Sequence, residues 1–156
     1  MNQIDLIVLN FEEIRRRSIK VWQSIPKNML NWKPDEKALT CAEMVRHVLE
    51  SEYIYLQILQ NRKSISHPEN PYDLVEFTNV QDDLDRAIPL RHEFINYIKS
   101  IEVSDLENVK IDRSDVGYIR TLGDMLLRVA YHESVHTGQL LDYMRTMNIE
   151  RPNIWD

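Results

Sequence analysis

At 156 residues the chain has the length of one domain and can bury a full core without disulfide or metal staples. Three glycines and six prolines are too few for a turn-rich sheet protein, and the abundance of Leu, Ile, Glu, Lys, Arg and Gln favours long helices. A net charge of −6 excludes the basic footprint of a nucleic-acid-binding protein, and the single cysteine, Cys41, excludes an internal disulfide. With no basic, small-residue leader at the start and no apolar run of membrane-spanning length, the expectation is a cytoplasmic protein that engages neither membrane nor nucleic acid.

Ile4, Ile7, Val8, Phe11, Ile14, Ser18, Val21, Trp22 and Ile25 recur at three- and four-residue steps, which predicts a first helix of about 20 residues ending before Pro26. Arg15-Arg16-Arg17 within it reads as a solvated face. The connector from Pro26 to Leu39 carries Met29, Leu30 and Trp32, and is expected to be ordered by a buried indole. Thr40-Cys41-Ala42-Glu43 is a capping box that opens a second helix to about Gln60. It buries Met44, Val45, Val48, Leu56 and Leu59, with His47, Ser51, Tyr55 and Ile58 on an adjoining stripe. Cys41 in its first turn reads as a small buried residue.

Asn61 to Phe77, with His67-Pro68 and Pro71, predicts a long loop across one end of the molecule. Thr78-Asn79-Val80-Gln81 reads as a second capping box for a helix to about Ser100, kinked at Pro89 near Arg91 and His92. From Ile101 to Arg120 the pattern is irregular, with a short strand expected around Val109 to Ile111. Thr121 to Asp124 caps a last helix running to about Met147. Asn148 suits the left-handed residue after it, and the segment from Arg151 to Asp156 is apolar enough to pack back on the bundle. Four helices joined by three long connections predict one all-α domain spanning 1–156, a four-helix bundle with long crossover connections.

The last helix carries the chemistry. His132 and His136 are four residues apart, so both imidazoles lie on one helical face, and they share it with the apolar positions Leu122, Met125, Leu126, Val129, Leu140, Tyr143, Met144 and Met147. Both rings are therefore expected to point inward, where a shared divalent ion satisfies them. A hydrogen-bonded pair of core histidines is the other reading of the same spacing. A third ligand has three candidates, His47 on the second helix, His67 in the loop and His92 beyond the kink. A site of three histidines leaves an ion an open position for water or substrate. Gly138 allows close approach of a helix or a ligand, and Gln139 is placed to orient His136 or to line a cavity. Tyr55 and Tyr143 are further candidates for the cavity wall.

His132-x-x-x-His136-x-Gly138-Gln139-Leu140, with Arg145 and Pro152 after it, resembles the C-terminal signature of the DinB/YfiT-like family of metal-binding four-helix bundles. Trp32-x-Pro34 and the run from Thr40 to His47 resemble that family's other recurrent block. The resemblance implies that His47, His132 and His136 bind a divalent zinc, nickel or iron ion. Two positions depart from the pattern: Thr137 stands where many members have arginine, and Asn148 where glycine usually ends the helix. The resemblance also implies a metal-dependent transferase that activates a small bacillithiol-like thiol against an electrophile, with Gln139 as an orienting group. A metal-dependent hydrolase, or a non-catalytic helical module that pairs as a homodimer, are the alternatives it leaves.

Overall fold

The computed structural model describes residues 1–156. Four long helices form the body: α1 (Gln3–Gln23), α2 (Cys41–Asn61), α3 (Val80–Lys99) and α5 (Leu122–Thr146). A single turn, α4 (Asp105–Asn108), and an antiparallel hairpin of β1 (Lys110–Arg113) and β2 (Tyr118–Thr121) lie between α3 and α5. Helices α1 and α2 each pack on both α3 and α5, so the helices consecutive in sequence at the start of the chain sit on opposite corners. No helix is long and apolar enough to cross a membrane.

Helix starts follow local chemistry. Thr40 and Glu43 close the expected capping box, with the Glu43 amide donating to Thr40 Oγ1 at 3.1 Å and the Thr40 amide to Glu43 Oε2 at 2.7 Å. Asn2 and Asp5 form an equivalent box on α1 that the apolar periodicity alone does not announce. Thr40→Ala is expected to cost about 1 kcal/mol, measurable as a lower midpoint in urea unfolding with an unchanged slope. The second predicted box is shifted by one residue. Asn79, not Thr78, caps α3, because the helix begins at Val80 and its third residue is Asp82, whose amide donates to Asn79 Oδ1 at 2.9 Å. Gln81 reaches forward to Asp85 instead. Helix α3 is continuous through Pro89.

The connectors are held by specific contacts. Trp32 is half-buried rather than buried, and the first connector is fixed chiefly by backbone bonds from Cys41 and Ala42 to the carbonyls of Trp32 and Leu30. In the second connector Arg46 lies over the rings of Tyr72 and Phe77 and forks onto Asp83. Where one short strand is expected there is a hairpin, turning through Gly117 at φ +94°. Lys63 bridges to Asp112 beside it. Asn148 takes the left-handed conformation, φ 56°, which Asn tolerates. The C-terminal segment packs back through Ile154 and the contacts of Asp156 with Arg16 and Lys20, while Trp155 stays exposed.

The core has two apolar halves. One gathers around Trp22, Val45, Leu140 and Met144, the other around Phe11, Leu56, Phe94 and Met125. Between them every long helix contributes a charged side chain. Arg15 of α1 forks onto Glu133 of α5 at 2.8 and 3.0 Å and reaches Glu52 of α2 at 3.0 Å, and Glu52 also pairs with Arg91 of α3. Ser18 and Thr137 meet at 2.7 Å beside them. Arg15 is thus buried, not solvated as its neighbours in the sequence suggest. Arg16 and Arg17 alone keep the surface role, pairing with Glu13.

Candidate metal centre

The three histidines singled out by sequence converge. His47 sits in the second turn of α2, and His132 and His136 occupy successive turns of α5, which packs on α2. His132 Nε2 lies 3.1 Å from His47 Nε2 and 3.2 Å from His136 Nε2. The rings stand edge to face, with centroids 4.6 to 5.1 Å apart. His67 and His92 are exposed and take no part.

All three rings are half-buried, which corrects the expectation that they point into the core. The inward face of α5 is instead Val129, Ala130, Glu133, Thr137 and Leu140, and the histidines flank it at the seam with α2. Burial, reinforced by the neighbouring His136, His47 and Arg128 charges, pushes His132 down to about 4. His47 is lowered by the same burial and by His136, against the opposing charge of Glu50.

The donor set fits a cation. His136 Nδ1 lies 2.7 Å from Gln139 Oε1. An amide oxygen only accepts, so Nδ1 carries the proton and Nε2 presents a lone pair. If His132 Nε2 is protonated its one hydrogen goes to His136, and it has no lone pair left with which to accept from His47. If it is unprotonated, its lone pair faces that of His136 at 3.2 Å. No pairing of neutral tautomers satisfies both contacts, whereas three lone pairs aimed at one ion do. Imidazoles bound tetrahedrally at about 2.0–2.1 Å place their nitrogens about 3.3 Å apart, near the observed spacings. The three-histidine cluster is therefore able to hold a metal ion.

The depressed His132 value has a consequence for the metal-free protein. Between the ordinary histidine pKa near 6.5 and about 4, the unfolded chain binds the proton that the folded chain resists, so stability rises with pH across that window. Denaturation midpoints of chelated protein are expected to fall from pH 7 toward pH 4, and His132→Gln is expected to flatten the fall. Metal, by excluding protons from the same nitrogens, shifts the loss to lower pH.

Other candidates fall out differently. Cys41 is fully buried, and burial pushes its thiol up to about 11. Gly138 makes no close contact: a methyl group there would meet nothing within 4 Å. Its packing role is thereby excluded. Thr137, at the position where the family pattern has arginine, is buried and bonded to Ser18 and to the Glu133 carbonyl. Tyr143 bonds the Leu39 carbonyl and packs on Trp32, so it anchors the first connector. Tyr55 does reach the centre, its ring 5.7 Å from that of His132. Arg128, one turn before His132 and bonded to Tyr55, is the residue that motif reading passed over. Its four-residue offset from His132 was the available signal. Clefts of 270 to 640 Å³ elsewhere on the surface include none of the three histidines, Tyr55 or Arg128, although Thr137 and Gly138 line one of 320 Å³ together with Ser18, Ile154 and Trp155.

YjoA of Bacillus subtilis (strain 168) is 23% identical over 148 residues, covering 94% of this chain and 92% of that protein. The crystal structure of that DinB-like protein superposes with a TM-score of 0.71 over 96% of each chain. A DinB-like protein from Bacillus cereus ATCC 10987 superposes with a TM-score of 0.69 at 15% identity, covering 92% of this chain and 91% of that one. These likenesses concern the fold, and the family model of the DinB superfamily matches residues 10–140. On that match, and with the helical architecture described above, the chain belongs to the DinB superfamily.

Proposed function

We propose that the protein is a metal-dependent S-transferase that joins a small bacillithiol-like thiol to an electrophile at the three-histidine centre. The observation that carries the reading is the convergence of His47, His132 and His136 through their Nε2 atoms. When bound, a divalent zinc, nickel or iron ion held by three neutral imidazoles keeps its full charge and supplies the Lewis acidity that favours loss of a thiol proton at neutral pH. His47 and His132, kept neutral by burial, offer lone pairs without competition from protons at pH 7. Gln139 fixes the tautomer and ring orientation of His136, the outer-shell role that typically changes metal affinity or activity by about 10- to 100-fold when removed.

The chain offers no nucleophile of its own at the centre. Cys41, buried and with its thiol pushed up to about 11, lies outside the cluster, so the attacking sulfur comes from a second small molecule. In the reaction that sulfur forms a bond to the electrophilic carbon, its proton is released, and the leaving group departs with its electron pair.

The experiment is to incubate metal-loaded protein with 1-chloro-2,4-dinitrobenzene and, in turn, bacillithiol, glutathione and coenzyme A. His136→Ala protein and a chelated sample run beside it. Faster thiol consumption in the loaded protein alone supports the reading. Rates equal to the controls with every thiol sink it, and metal-dependent cleavage of ester or amide substrates in their place assigns a hydrolase.

A further inference from the structure

In an acidic chain, Arg128 is a cation that the protein leaves without a counter-charge. None of the nine ion pairs includes it. It is nevertheless held firmly. Its Nη1 donates to the Tyr55 hydroxyl at 2.8 Å, and its guanidinium carbon lies 5.7 Å from the centre of the Tyr55 ring and 5.1 Å from that of Tyr118. Arg120 lies over the same Tyr118 ring at 5.1 Å but is neutralised by Asp124 at 2.8 Å. Arg113, its guanidinium 5.5 Å from the same ring, donates to the Tyr118 hydroxyl and to Ser64 and is also outside the ion pairs. Three arginines thus share one aromatic support, and of the two left uncompensated Arg128 is the one beside the histidines.

Position gives this a meaning. Arg128 is one turn ahead of His132 on the same edge of α5, an axial offset of about 6 Å, and the Tyr55 ring is 5.7 Å from that of His132. Arg128 is half-buried, and the single bond to Tyr55 occupies one of its five donor hydrogens. Tyr55, acting as acceptor toward Arg128, still has its own hydroxyl proton to give. A guanidinium and a phenol that converge in this way recognise an oxyanion, and a planar guanidinium suits a carboxylate in particular.

We propose that Arg128 and Tyr55 bind a carboxylate of the molecule whose sulfur enters the three-histidine centre, so that the preferred substrate is a small thiol with a carboxylate a few bonds from sulfur. Arg128 is then the specificity-determining residue. The proposal rests on the thiol reading above, and its test separates the two. The probes are 3-mercaptopropionate and 3-mercaptopropanol, equal in length and different in charge. Visible absorption of protein loaded with cobalt reports arrival of sulfur at the centre. Side-chain resonances of ¹⁵N-labelled arginine in zinc-loaded protein, assigned with Arg128→Lys, report the anion.

The wild type is expected to bind the acid at least tenfold more tightly than the alcohol. Arg128→Gln, with an unchanged helical spectrum, is expected to bring the two within twofold, chiefly by weakening the acid. Arg128→Lys, which keeps the charge and loses the fork, restores part of the preference. A tenfold preference that survives in Arg128→Gln, or equal affinities in the wild type, overturns the proposal. If neither thiol alters the cobalt bands, the thiol reading fails and the Arg128 resonances decide the anion site alone: movement with the acid only upholds it, and movement with neither or with both overturns it.

Discussion

Protein carrying His132→Ala and His136→Ala together is expected to lose stoichiometric divalent metal while keeping the helical spectrum of the wild type. The two side chains supply two of the three converging nitrogens, and a lone His47 is a single imidazole of the kind any surface offers. Both positions are half-buried and flank the inward face of α5 instead of forming it, so truncation removes little core contact. Alanine is moreover the best helix former, which leaves the propensity of α5 intact or improved. Elemental analysis after gel filtration, with dichroism on the same samples, checks both halves of the expectation. Full metal content in the double variant would place the ligands elsewhere, and loss of helix would show that the histidines serve the fold.

The second large effect lies behind that centre. Arg15→Ala is expected to destabilise the protein by about 3–5 kcal/mol, against a total for such domains of about 5–15 kcal/mol. The side chains of Arg15 and Glu133 are only 9% and 6% exposed, so removing the cation strands a buried carboxylate that has lost its direct partner. Replacing both partners, Arg15→Met with Glu133→Leu, is expected to cost less than Arg15→Ala, because Glu52 and Arg91 then remain as a balanced pair. Acid acts on the same contact. Burial by itself would raise the Glu133 carboxyl, but the Arg15 charge and hydrogen bonds, with Arg91, outweigh it and hold it below the usual range. Its stabilisation is complete above the unfolded value of about 4.5 and is lost as pH falls through the lower folded value. Urea titrations from pH 7 to pH 3 should therefore show this loss setting in only from about pH 4.5 downward, at the lower end of the histidine window. An Arg15→Ala protein as stable as the wild type would refute this account.

The helices and the histidine triad were legible because each is written in short-range chemistry. Capping boxes mark starts within a residue, three- and four-residue steps mark faces, and an i,i+4 pair is a geometric statement as soon as the helix is granted. His47 needed more, since nothing local says that the second turn of α2 comes level with the middle of α5. The resemblance supplied that register. Arg15 was misread because a run of three arginines looks uniform in sequence, although only Arg15 falls in step with Phe11 and Ser18 on the apolar stripe. Glu52 between Val48 and Leu56, and Glu133 between Val129 and Thr137, break their stripes in the same way. Three charges at core positions on three helices were a signal that they pair, visible only when the helices are read together. The hairpin eluded periodicity because four-residue strands are too short to show an alternation.

The charged layer across the middle of the bundle also bears on which arrangement of helices the chain can adopt at all. Leucine and methionine in the two apolar halves tolerate a helix that slides by a turn, about 5.4 Å, since one aliphatic contact replaces another. The layer does not tolerate it. Such a slip in any one of α1, α2, α3 or α5 would bury a charge opposite an aliphatic side chain and leave its former partner alone. Each helix contributes one charged group, so all four are indexed to a common height. His47 lies about a turn from Glu52 and His132 next to Glu133 in sequence, and the indexing therefore sets the alignment of α2 with α5 that brings three ring nitrogens together. A layer with no ligand role of its own thus fixes the spacing of the metal site from behind, and selects one packing of these helices from several that the apolar residues would accept.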